Sequence, residues 1–269
     1  MASDIERLKS RIFLGALFPV MKVALHDNPK MKKKFAGVNA RIQFAARDGD
    51  GNGNGHGDGD GDIGAYLDFT AGDLEIVQGI CENPDVAFWF GSIEKMNAML
   101  AGKPVLPRIK GFYRLGLLAK AISLFLSLKL LEPDARPKDP QKRRLKVKMS
   151  VFMMVAALSQ YNKGGDPEMV KWTSMQPERI YQISVTGEDD IAAYLRVKAG
   201  KTKAGRGFYT KRRPFVHMKF NGIDGAMPIL LEEIDMVEAV RDGLLSLDGS
   251  PEYARDLGNF MVRIQKLVM

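Results

Sequence analysis

Between Arg196 and Arg213 the chain places eight basic residues and no acidic one, and Arg206, Lys211, Arg212 and Arg213 crowd the end of that run. Such a group can hold a phosphate, arginine through its forked donors and lysine as a point charge. The competing reading is a solvated sheet face. A second pattern, Asp48-x-Asp50-x-Asn52-Gly53, has the opening spacing of a calcium loop, but Gly59 stands at position 12, where a bidentate Glu is required. The stretch 48–62 therefore reads as a flexible Gly/Asp-rich loop, with a weak ion site as the alternative. Nucleophilic and metal chemistry have little to draw on: one cysteine, Cys81, and three scattered histidines, His26, His56 and His217. No phosphate-loop, dinucleotide-binding or nucleophile-elbow pattern occurs. We expect no catalytic residues, no metal, no cofactor and no enzymatic activity.

The chain is rich instead in adaptable apolar side chains. Phe88 and Phe90 alternate on a strand, and Met96, Met99 and Leu100 share one face of a short helix capped by Ser92. Leu115, Leu118, Ile122 and Phe125 lie on a helix expected over 112–131. These nine residues are either plain core or the wall of a hydrophobic tunnel. Met218, Phe220, Leu230, Leu231, Phe260 and Met261 form a weaker set of the same kind. The helix 112–131 is apolar around most of its circumference, so one packing face cannot satisfy it. Its second face needs a sister domain, a second chain, a partner protein or a membrane surface.

The elements that must position these residues come in duplicate. Ile63-Gly-Ala-Tyr-Leu67 returns as Ile191-Ala-Ala-Tyr-Leu195, each followed by Ala-Gly (Ala71-Gly72, Ala199-Gly200). Pro84-x-Val86-x-Phe88-x-Phe90 returns as Pro214-x-Val216-x-Met218-x-Phe220. Arg7-Leu8-Lys9 and Arg144-Leu145-Lys146 each precede an apolar run, and Ile109-Lys110-Gly111 matches Leu247-Asp248-Gly249. A repeat of this span has the size of a whole domain. The predicted organisation is a first domain over 1–135, a basic Pro-rich linker over 136–143 and a diverged second domain over 144–269. Each copy reads as a helix, then strands at 41–46, 65–69, 74–77, 86–90 and 105–109 or their equivalents, with a short helix before the last strand and a final helix after it. Lys30–Lys34 reads as an exposed turn, and Pro19 as a possible bend. The fold class is α+β, each domain a mostly antiparallel five-stranded sheet covered by helices.

Composition narrows the setting. The 269 residues suffice for two ordinary cores, and a lone thiol suits a reducing, cytoplasmic compartment. The apolar run at 12–20 is not a leader on this reading, because Asp4 and Glu6 precede it and a similar run recurs at 149–158. Lys120 and Lys129 interrupt the longest apolar stretch, 115–131, which is marginal for a span. Residues 136–150 hold seven Lys/Arg against one acid, most of the net charge of +8. That segment could make transient contact with an anionic membrane. The basic runs lack interleaved aromatics, so nucleic acid is not expected as a partner.

Ser92 followed by Leu100-Ala-Gly102-Lys103, then Arg108-Ile-Lys-Gly111 leading into an apolar helix, resembles the sterol carrier protein type 2 domain family. Copy one carries the resemblance over about 36–131, and copy two more weakly over about 176–268. The resemblance implies a soluble module with a hydrophobic tunnel between sheet and helices, holding a sterol, fatty acid or fatty acyl-CoA. Under it, the four basic residues above become anion contacts for a CoA group. Phe112 and Ser250 stand where the family usually has an acid. Copy one is the more apolar and is expected to hold the ligand. The alternative is an accessory protein of a lipid or acyl-CoA enzyme, docking its partner through helix 112–131.

Overall fold

A computed structural model describes residues 2–48 and 61–268. The chain divides into two compact units, one running to Leu128 and the other spanning Lys129–Leu267.

The first unit opens with α1 (Asp4–Ile12), whose N-cap Ser3 accepts a hydrogen bond from the Glu6 N–H at 3.3 Å. A π-helical turn, Phe13–Leu17, leads directly into α2 (Phe18–Asp27). The slip in register sits just ahead of Pro19, whose missing N–H removes one rung of the α ladder. Asn28 then caps α3 (Pro29–Phe35) by accepting from the Lys30 and Met31 N–H groups. This corrects the exposed turn expected at Lys30–Lys34. Met31 and Phe35, four residues apart, share a buried face while the lysines point to water.

The strands are β1 (Ala40–Ala46), β2 (Ile63–Thr70), β3 (Asp73–Gln78), β4 (Val86–Phe90) and β5 (Arg108–Lys110), in the order β3-β2-β1-β4-β5. Neighbours are antiparallel except β1 and β4, which run parallel, so the sheet is mixed. The parallel pair follows from the topology: after two hairpins the chain leaves the edge strand β3 and crosses to the far side of β1. Helix α4 (Ile93–Leu100) precedes β5, and α5 (Leu115–Leu126) follows it, continuing as a 3-10 turn, Ser127–Leu131. Two boundaries move from expectation. β5 starts at Arg108 because Pro104 and Pro107 cannot donate to a ladder, and the last helix starts at Leu115 rather than Phe112.

The second unit repeats the plan. Helices α6 (Pro140–Lys163) and α7 (Pro167–Ser174) precede β6 (Arg179–Val185), β7 (Glu188–Lys198), β8 (Lys201–Arg206) and β9 (Val216–Phe220). Then come α8 (Gly222–Leu230), α9 (Met236–Arg241), β10 (Leu245–Gly249) and α10 (Pro251–Val268). The sheet order β8-β7-β6-β9-β10, with β6 and β9 parallel, is that of the first unit. Half of the expected linker 136–143 is helix, since Asp139 caps α6 and Pro140 occupies its first turn, where proline is best tolerated. The basic run is bound within the unit: Arg143 meets Asp224, Arg144 meets Glu188 and Asp190, and Lys148 meets Asp190. Lys146 is buried and donates to the Leu130 and Glu132 carbonyls. Pro228 does not break α8, which closes two residues later.

A matched pair of glycines fixes both units. Gly111 (φ +76°) follows β5 and Gly249 (φ +105°) ends β10. A Cβ at either would lie 2.1 Å from a backbone oxygen, of Asp85 and Phe215 respectively. Only glycine permits that approach. Among the described residues no helix is long and apolar enough to cross a membrane.

Candidate functional site

In the first unit Ile42, Phe44, Leu67, Phe69, Val86 and Phe88 are buried on the sheet face that receives the helices. The parallel register sets Phe44 opposite Phe88, and their rings stack at 4.7 Å. Phe18 of α2 meets Phe44 edge-on at 5.1 Å, and Phe125 of α5 stacks over it at 6.0 Å. Phe44 is thus the hub that joins the final helix to the sheet.

The nine first-copy tunnel candidates fall into three groups. Phe88, Phe90, Met96 and Leu100 are packed core, each under a tenth exposed. Met99, Leu118 and Phe125 are half-buried, and Phe125 reaches Phe88 through Phe44. Leu115 and Ile122 face outward, 71% and 46% exposed. Of α5 only Ala121 and Leu124 are fully buried. Its outward residues, Leu115, Ala119, Ile122 and Leu126, recur at helical spacing and are all apolar. The helix packs on α2 and α3, where the Ser123 hydroxyl donates to the Met31 sulfur at 3.8 Å. An Arg114–Asp85 ion pair holds its start.

In the second unit a cluster of rings joins the helices to the sheet. Trp172 of α7 packs against Tyr181, Tyr253 and Phe260, and Phe215 against Tyr181 and Tyr253. Burial pushes the Tyr181 phenol well above its ordinary range, and its hydroxyl donates to Gln176. Met218, Phe220 and Phe260 are core, while Leu230, Leu231 and Met261 are half-buried. Two shallow depressions occur in this unit. One, about 260 Å³, is lined by Trp172, Met175, Phe260 and Arg263 among others; the other, about 470 Å³, by Arg136, Met227, Pro228 and Leu231 among others. Phe260 and Leu231 therefore line separate hollows.

The four basic candidates are not drawn into one clamp. Arg206 lies over the Phe152 ring at 4.8 Å, and Arg212 reaches Glu178, which also pairs with Arg196 and Lys198. Lys211 and Arg213 are exposed. Asp48 is engaged by Arg7 and by the Ala2 N–H. The rest of the calcium-like pattern, with residues 49–60, lies outside the described residues. Among the described residues no group of three His, Cys, Asp or Glu side chains gathers as a metal site. His217 hydrogen-bonds Ser184 at 2.8 Å, and burial, then Lys219, lowers its pKa. Asp248 stands opposite His217 in the β9–β10 ladder, but its carboxylate accepts from Lys219 at 2.5 Å.

Sequence reading missed Phe44 and a duplicated glutamine. Gln43 is fully buried; its amide N–H groups donate to the Phe44, Ala65 and Gly79 carbonyls, and its oxygen accepts from the Cys81 N–H. Gln182 does the same with Ile183, Ala193, Gly207 and the Tyr209 N–H. Aligning the copies on these glutamines, each followed by an apolar residue, would have revealed both.

No protein-family model matches the chain, and no curated protein sequence matches it. Among solved structures it is similar to the stereoselective inverting sec-alkylsulfatase Pisa1 from Pseudomonas sp., at 12% identity and TM-score 0.25. A double mutant of the sec-alkyl sulfatase PisA1 gives 11% and 0.27. Each match covers 54% of this chain and 28% of the other, so the chain spans under a third of the length of those enzymes.

Proposed function

We propose that the chain is a non-catalytic lipid carrier made of two domains of the sterol carrier protein type 2 kind. On this reading the first binds a sterol, fatty acid or fatty acyl-CoA between α5 and the sheet, and the protein works in the cytoplasm. One observation carries the proposal: α5 is apolar on both faces, yet meets the sheet through the ring of Phe125 on Phe44. Such a seam can open and admit an apolar chain without exposing polar backbone. The matched sheet order of the two units and the paired glycines Gly111 and Gly249 support the duplication within it. The ring contacts that join helices and sheet in the second unit support placing the ligand in the first.

The driving force is burial. About 300 Å² of apolar ligand surface would contribute roughly 7 kcal/mol at about 25 cal/mol per Å², against an association cost of roughly 4 kcal/mol or more. Titration with a fluorescent fatty acid, followed by displacement with unlabelled sterol, fatty acid and acyl-CoA, tests the reading. Saturable uptake is expected, and the displacing compound names the class. Signal that rises linearly without saturation would reject it.

A further inference from the structure

From residue 96 to residue 131 the chain contains no Asp or Glu, but six Lys/Arg: Lys103, Arg108, Lys110, Arg114, Lys120 and Lys129. The same stretch carries the most exposed large apolar side chains of the first unit. Leu106 is 95% exposed, Tyr113 73%, Leu115 71% and Phe112 68%, with Leu126 and Ile122 near half. The outward stripe of α5 continues this surface along the helix. Among the described residues Lys103, Arg108, Lys110 and Lys120 form no ion pair; Lys110 instead sits 6.0 Å over the Trp89 ring.

A charged edge strand alone would need no partner, because Lys and Arg on β5 protect it from pairing with another sheet. That accounts for Arg108 and Lys110, not for six large apolar groups held in water beside them. The covering surface must therefore be apolar within and negative at its rim. A second copy of the chain is a poor fit, since apposing two such faces would set basic residue against basic residue. The geometry points to an anionic phospholipid bilayer as the partner of this face. Leu115, Ile122, Leu126 and the rings of Phe112 and Tyr113 enter the interfacial region, and the lysines and arginines rest among the headgroups. An interfacial helix typically buries its apolar face about 5–10 Å deep, a depth that side chains of α5 can reach without the helix crossing. The inference stands on exposure and charge and does not require a bound ligand.

The test is flotation of the full chain with vesicles of phosphatidylcholine alone, and of phosphatidylcholine with phosphatidylserine in equal parts. Binding is expected to the mixed vesicles and to fall with added salt. Removing basic charge with Lys103→Ala and Lys120→Ala together should weaken it roughly twenty-five-fold, at about fivefold per charge near the surface. Phe112→Ser with Leu126→Ser should weaken it at least about tenfold by lost burial; circular dichroism confirms that these exposed replacements keep the fold. Equal binding to both vesicle types, or binding unchanged in both variants, would overturn the inference. So would a vesicle-free dimer, or a stable complex with a second protein, that Phe112→Ser with Leu126→Ser abolishes. Vesicle binding lost while soluble fatty acid is still taken up would sink this inference alone; uptake lost while vesicles still bind would sink only the carrier reading.

Discussion

The Phe125 ring lies 6.0 Å from that of Phe44 with their planes 21° apart, so α5 touches the sheet through a side chain that is itself only half-buried. Phe44 is held on its other sides by Phe18 and Phe88. One partner is fixed and the other is on the element proposed to move. On the proposed carrier reading Phe125 is the latch.

Replacing the latch should separate binding from folding. Phe125→Ala is expected to cost about 1–2 kcal/mol of stability and to speed release of a fluorescent fatty acid about tenfold, read by stopped-flow displacement. Phe44→Ala removes the buried hub and should cost about 3–5 kcal/mol. Equal, small effects of the two would argue that α5 is not latched through this pair.

The glycines give a test in each unit. The chain has two tryptophans, Trp89 on β4 and Trp172 on α7, so each unit carries its own fluorescent reporter. Gly111→Ala should destabilise the unfolding seen by Trp89, and Gly249→Ala that seen by Trp172, each by on the order of 3 kcal/mol, since both demand positive φ and the close carbonyl approach. Urea titrations of single-tryptophan variants read the two separately.

Gln43→Leu should cost about 2–3 kcal/mol, because it strips hydrogen bonds from three carbonyls and the Cys81 N–H in a buried place. Gln182→Leu should match it in the second unit. The same urea titrations would show a loss under about 0.5 kcal/mol if the network were incidental.

Acid should weaken the second unit through Asp190. Burial alone would raise its pKa, but hydrogen bonds from Arg144 and Lys148 outweigh this and hold it down to about 2. A carboxylate depressed in the folded state contributes stability above its unfolded pKa, near 3.9, and loses it as pH falls toward about 2. Asp190 is about half exposed, so the contribution is discounted to about 1 kcal/mol. Asp190→Asn should lower stability by about that amount at neutral pH and flatten the dependence between roughly pH 4 and 2, followed by Trp172 fluorescence. An unchanged acid profile would exclude this role.

The strands and the duplication could be read from sequence because their signals are local. A short apolar, aromatic-rich run marks Val86–Phe90 and alternation marks Val216–Phe220, and Ala71-Gly72 and Ala199-Gly200 turn with φ of 52° and 92°, and of 45° and 80°. The parallel pairing of β1 with β4 is non-local, which is why Phe44 did not stand out beside Phe88. Three consecutive lysines hid the Met31/Phe35 face of α3. Residues 140–143 look like linker by composition, and only the Asp139 cap with Pro140 marks them as a helix start. Outward Leu115 and Ile122 share an apolar helix with half-buried Phe125, and hydropathy does not separate the two faces when both are greasy.

The most direct measurement is native mass spectrometry of the purified full chain, followed by organic extraction and lipid analysis. The account predicts one apolar ligand per chain, retained in wild type and lost in Phe125→Ala. A bare mass, with no fatty acid, sterol or acyl-CoA taken up when each is offered, would contradict it.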